Sequence, residues 1–168
     1  MGRTVSIFAR LLLAAFLVLL STACSPQSTP RSNVGTDLGE TFETDKLVVV
    51  NDEGVRHAFD VYLAQDFEQQ RRGLMFVRNL PLMTGMLFVY DGSEQRSMWM
   101  KNTYISLDIV YARADGSVSS VIHNTEPLSL RSLVSVEPVQ YVLELNAGVA
   151  RRFKIGTGSR LIRDSEEP

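Results

Sequence analysis

Short runs in which apolar and polar side chains alternate, punctuated by turn-forming residues, fill most of the chain beyond residue 45. Residues 46–51 (KLVVVN) read as a strand and Asn51-Asp52-Glu53-Gly54 as a turn. Val55, His57, Phe59, Val61 and Leu63 then alternate with Arg56, Ala58, Asp60 and Tyr62, which predicts a second strand with one apolar face and completes a hairpin. Residues 86–90 predict a strand ended by Asp91-Gly92-Ser93. Leu107, Ile109 and Tyr111 alternate with Asp108, Val110 and Ala112, and Asp115-Gly116 turns the chain into a return strand over 118–122. Residues 139–145 (VQYVLEL) and 160–163 supply two more strands, and residues 149–153 have room for one helical turn. Asp66 with Gln69 three positions on forms a capping box for a short helix closed by Gly73. Within it Glu68 and Arg72 are spaced to pair, and Phe67 and Leu74 are the side chains expected to hold it by packing. Many short strands with one brief helix predict a mainly β fold, a compact β barrel or sandwich. No βαβ rhythm shows, which argues against Rossmann-like cofactor folds.

The first 45 residues follow a different pattern. Arg3 and Arg10 flank a positive start, and residues 11–20 (LLLAAFLVLL) form a ten-residue apolar run, too short to span a bilayer and right for a signal peptide. Ser21-Thr22-Ala23 then presents small side chains directly before Cys24, the sole cysteine. We therefore read residues 1–23 as a signal peptide and Cys24 as a lipidated N-terminus, although Ser21 stands where such lipoprotein signals usually carry Leu. Several acyl chains would hold the domain at a membrane. Ser25 rather than Asp after the cysteine favours the periplasmic side of the outer membrane in a Gram-negative host; ordinary secretion, free or periplasmic, and an uncleaved anchor are the other readings. Residues 25–44 are rich in Ser, Thr, Pro and Gly, so 24–44 is expected to be an acylated cysteine and flexible tether, with a single β-rich domain over 45–168.

Charge narrows the partners. The net charge is −2, and loss of Arg3 and Arg10 with the leader makes it −4, so a nucleic-acid surface is not expected. Two histidines and one cysteine give no metal-ligand spacing, the glycines at 156 and 158 make no phosphate loop, and no cofactor is implied. The chemistry concentrates in residues 96–113 (RSMWMKNTYISLDIVYAR). There Lys101, Asn102 and Asp108 either stabilise turns or line a pocket, and Trp99 either fills the core or walls a ligand site. An Asp inside the run 107–112 must reach solvent or accept hydrogen bonds, because an unpaired buried charge is costly.

Several motifs in this order resemble a bacterial and archaeal family, the domain of unknown function 192. They are Arg72-Gly73-Leu74-Met75-Phe76, Gly85-Met86-Leu87-Phe88, Trp99-Met100-Lys101-Asn102-Thr103, Ile105-Ser106-Leu107-Asp108 and Tyr141-Val142-Leu143-Glu144-Leu145 with Ala147-Gly148. The resemblance covers about residues 46–163 and implies a compact all-β domain with a short helix, often exported, with no established activity. The chain has Ser106 where the family commonly has Pro, and Gly158-Ser159 where it usually has Gly-Asp.

Three functions compete. The first is a noncatalytic, membrane-tethered binding or accessory module of the cell envelope. Its site would place Arg72, Trp99, Lys101, Asn102, Asp108 and Glu126 around a small polar or glycan-like ligand or an envelope protein. The second is a structural or protein-interaction domain whose polar motif residues form an internal network. The third is an envelope glycan or peptide hydrolase or lyase using Asp108 and Glu126, with Glu144 as a further carboxylate and Lys101 as an electrostatic group.

Overall fold

The structure is a computed structural model and describes residues 38–163. The leader, Cys24 and the first part of the expected tether lie outside the described residues. The tether reading changes at its end: Leu38–Thr41 forms a helical turn, α1, and Leu38 and Phe42 are buried in the core. Two apolar side chains in a polar stretch were enough to seat it.

The hairpin expected around Asn51 is β1, Thr44–Val50, antiparallel to β2, Arg56–Ala64. The Asn51 side chain builds the turn by accepting from the backbone N–H groups of Glu53 and Val55. Next comes α2, Phe67–Arg72, with both halves of the capping box in place. It leads to β3, Thr84–Glu94, which pairs parallel with β2. A βαβ crossover is therefore present; six helical residues are too few to write a helical rhythm into the sequence. β3 also runs through Asp91-Gly92-Ser93, where an end was expected, with a register shift between Val89 and Glu94. The chain continues through β4 (Ser97–Met98), β5 (Leu107–Ala112), β6 (Val118–Ile122), β7 (Leu133–Val134), β8 (Val139–Asn146), α3 (Val149–Arg152) and β9 (Arg160–Arg163).

The main sheet runs β6-β5-β8-β3-β2-β1-β9, and β4 and β7 pair separately. Its two edges approach at one bridge, Ser117 with Arg160, where the Val118 N–H donates to Ser159 O and the Leu161 N–H to Gly116 O. The fold is thus mostly β but is a curled, incompletely closed half-barrel with three short helices among the described residues, not the closed barrel or sandwich with one helix.

Both faces of the sheet are covered. Leu47, Val49, Phe59, Val61, Leu87, Val110, Leu143 and Leu145 fill one side with Val149 and Ala150 of α3. Met86, Phe88, Ile109, Tyr111 and Val142 face the other, beneath Leu38, Phe42, Leu74, Met98, Met100 and Leu133. Each such aliphatic side chain contributes roughly 1.5–3 kcal/mol by burial. Cover on two sides explains why every residue of β5 is buried although its sequence alternates. Phe67, expected to anchor α2, is 75% exposed; Leu74 carries that packing.

Candidate functional site

The second face of the sheet opens beside α2. The segment after α2 and the segment after β4 meet there through the Phe76 N–H, which donates to Asn102 O at 2.8 Å, and the Asn102 Nδ2, which donates to Met75 Sδ at 3.8 Å. Phe76 and Asn102 both take left-handed backbone, φ 68° and 55°. Asn tolerates that conformation and Phe does not, so the rim of the opening holds a strained residue, as ligand-binding walls often do. The turn carrying Asn102 is closed by the Thr103 N–H on Met100 O, and the Leu128 N–H on Thr103 O ties it to the next loop.

Between these walls lies an open cleft of about 870 Å³. Arg72, Trp99, Lys101 and Asn102 line it together with Glu40, Asp66, Glu68, Arg71, Met75 and Phe76. Four of the six residues singled out in the sequence therefore converge. Trp99 is 46% exposed, so its indole walls the cleft rather than filling the core, and the Lys101 ammonium sits 5.1 Å from the ring centroid. The expected Glu68–Arg72 pair does not form. Glu68 Oε2 instead accepts from Arg71 Nη2 at 2.5 Å, on the exposed side of α2. Arg72 is left with Nε and Nη2 buried and unbonded. A guanidinium in that state is a ready donor for a carboxylate or phosphate, because its buried N–H groups gain a partner without giving one up.

Asp108 and Glu126 do not belong to this cleft. Asp108 points to the opposite face of the sheet and is fully buried. Its Oδ1 accepts from the Asn124 N–H and its Oδ2 from the Ala150 N–H, both at 2.9 Å. Ala150 lies in the first turn of α3, whose N-cap is Gly148, a residue with no side chain to cap with. Asp108 supplies that cap from another strand. Glu126 is exposed on the loop after Thr125, whose hydroxyl and N–H both bond the backbone of Leu107. Asp108 and Glu126 accordingly share no opening from which to act as an acid–base pair.

A narrower recess of about 80 Å³ shares the walls Met75 and Trp99 with the cleft. Gln70, Phe88, Tyr90, Met98, Thr103 and, from β8, Glu144 also line it. Glu144 stands opposite Met86 and Ile109 in the ladder. Burial pushes its carboxyl up to about 8. Burial likewise raises the Tyr90 phenol, to about 12, with Arg96 opposing and Glu144 adding to the rise; Tyr111 is raised by burial, Glu144 and Tyr90. The sequence offers Glu144 as a polar position in an alternating strand and as a further carboxylate beside Asp108 and Glu126; its burial depends on cover from residues 70–75 and 97–103. Among the described residues no group of three or more His, Cys, Asp or Glu side chains is placed to hold a metal ion, and no helix is long and apolar enough to cross a membrane.

The family DUF192, described as an uncharacterized ACR, matches residues 48–162. Two crystal structures share the fold. A protein of Sinorhizobium meliloti 1021, provisionally named a transcription regulator, is 37% identical, with a TM-score of 0.71 over 73% of this chain and 95% of its own. A protein of unknown function from Novosphingobium aromaticivorans DSM 12444 is 32% identical, with a TM-score of 0.69 over 72% of this chain and 86% of its own. No curated protein matches the chain.

Proposed function

The chain belongs to the DUF192 family, and from that premise we propose that it is a ligand-binding or accessory module of the cell envelope, noncatalytic and tethered to the membrane through acylated Cys24. The cleft beside α2 is its site, and its ligand is a small polar or glycan-like molecule bearing an acidic group. One observation carries this reading: Arg72 brings two buried, unbonded guanidinium nitrogens to the wall of the cleft that Trp99 and Lys101 also line. The indole offers a flat apolar surface for a sugar ring, while Arg72 and Lys101 offer the charge. A nucleic-acid-binding regulator fits this chain poorly, because its net charge of −2, −4 once Arg3 and Arg10 leave with the leader, gives little attraction to nucleic acid. Asp108 answers to the second reading, an internal network, since both its oxygens are bonded to backbone.

The test is equilibrium binding to the full chain, recovered with the membrane fraction and solubilised in detergent, of peptidoglycan fragments and short acidic oligosaccharides. Arg72→Ala and Trp99→Ala should each weaken binding of the best ligand about tenfold or more. Failure of the whole panel, or binding indifferent to both substitutions, removes the site. Absence of the chain from the membrane fraction removes the tether.

A further inference from the structure

We infer that the inner recess is an ammonium subsite, in which Glu144 receives the primary amine end of a thin, extended ligand whose acidic end lies on Arg72 in the outer cleft. The inference rests on the binding reading above and deepens it, committing the ligand to a zwitterion such as an amino-acid or peptide derivative with a free amine.

Glu144 is only 4% exposed and receives no hydrogen bond from the described residues, and its oxygens are not among the fully buried unpaired atoms, so what exposure they keep is toward the recess. Buried polar groups without a partner are rare and call for a specific cause. The same fold meets the buried carboxylate of Asp108 with two backbone N–H groups, so the lack of a protein donor at Glu144 is not a general looseness of the core. What Glu144 does have is an opening. Around it stand the aromatic rings of Phe88, Tyr90 and Trp99, the last two already carrying Arg96 and Lys101 over a face, and Met98, whose sulfur takes the Tyr90 hydroxyl at 3.9 Å. Gln70 donates its amide nitrogen to Val89 O at 2.9 Å, so its amide oxygen, an acceptor, is what it can offer a ligand. A carboxylate, a spare amide oxygen and aromatic walls together suit a donor-rich cation.

Size selects the shape of that cation. A recess of about 80 Å³ holds two or three waters' worth of atoms, enough for an unbranched aminoalkyl end but not for the roughly a dozen heavy atoms of a sugar ring. The ring-sized space is the outer cleft, where Arg72 and Lys101 meet an acid.

Pairing with an ammonium requires the ionised carboxylate. Because Glu144 titrates near 8, affinity should rise about tenfold per pH unit below that value and level off above it. The other titratable groups facing it are Tyr90 on β3, with Arg96 stacked 3.9 Å over its ring, and Tyr111 on β5; both phenols are raised and stay neutral through this range. Gln70 of α2 and Met98, Trp99 and Thr103 of the facing segment do not titrate.

The probes are n-butylammonium and n-butanol, titrated calorimetrically into the full chain in detergent at pH 7 and 9. Butylammonium should bind in the millimolar range at pH 9 and about tenfold more weakly at pH 7, with close to one proton released per ligand at pH 7. Butanol and the Glu144→Gln chain should show no comparable binding. Equal binding of the alcohol, retained affinity in Glu144→Gln, or no butylammonium binding overturns the subsite, and proton release from the native chain decides the matter should the variant misfold. If butylammonium fails while acidic probes bind in an Arg72-dependent way, the subsite falls and the outer site stands; if both fail, both fall.

Discussion

Asp108 and Glu144 are buried carboxylates on adjacent strands, facing opposite sides of one sheet, and their surroundings give them opposite work. Asp108 is bonded at both oxygens and caps α3, whereas Glu144 meets no hydrogen-bond donor among the described residues. For Glu144 the consequence is a pH-dependent strain. Its folded pKa, raised by burial from 4.5 to about 8, lies above the unfolded one. The stability it permits is therefore fully present below about 4.5, is lost progressively as pH rises to about 8, and stays lost above. Glu144→Gln holds the neutral form at every pH. Urea unfolding should find the variant near wild type at the acid end of that window and more stable by on the order of several kcal/mol above it. A difference that does not change with pH would show that burial is not what perturbs this group. From the sequence, the requirement that Asp108 either reach solvent or accept hydrogen bonds was legible because it follows from one charge in an apolar run. The isolation of Glu144 was not, because it depends on side chains 40 to 75 positions away.

At the scale of elements, α2 shows how a short helix positions chemistry it could not support alone. Six residues are too few for intrinsic helical stability, and none of the six is buried. The helix is held at its ends instead. Asp66 accepts from the Gln69 N–H at 2.8 Å, Gln69 Oε1 accepts in return from the Asp66 and Gln65 N–H groups, and Gln69 Nε2 donates to Thr41 O at the end of α1. Gln70 fixes the next turn to β3. Arg72 in the last turn is thereby aimed into the cleft. Asp66→Ala should cost about 1 kcal/mol in urea unfolding and weaken Arg72-dependent binding, while Asp66→Asn, which keeps an acceptor, should lose much less. Equal losses in the two variants would exclude capping as the cause. The capping box was readable from Asp66 and Gln69 alone because it is local. The partner of Glu68 was not, because positions three and four residues along a helix are equally available and tertiary surroundings decide between Arg71 and Arg72.

The main sheet of the described residues has edge strands, β6 and β9, that meet where Gly116–Val118 approaches Ser159–Leu161. Strands and hairpin turns over residues 44–64 and 107–122 could be read from alternation and turn residues, but the order in which strands assemble is not a local property. The parallel β2–β3 pair and the two-residue strands β4 and β7 exist only because distant segments lie alongside. The seam is of the same kind, and its demand falls on a residue that the sequence marks only as a turn. A Cβ on Gly116 would lie 2.3 Å from Leu161 O, the carbonyl of the strand it must meet, and φ there is +79°. Gly54 in the β1–β2 turn has almost the same φ, +78°, with nothing within 4 Å. The pair separates backbone conformation from close approach. Gly54→Ala should cost about 1–2 kcal/mol, the usual penalty for an L-residue in left-handed backbone. Gly116→Ala should cost more than that, about 3 kcal/mol or above, because strand β9 must also draw back. Native-state hydrogen exchange should then show the Val118 and Leu161 amides, whose bonds form the seam, losing protection in Gly116→Ala and keeping it in Gly54→Ala. Equal costs with unchanged protection at both amides would mean that the edges are held by their own packing and not by the seam.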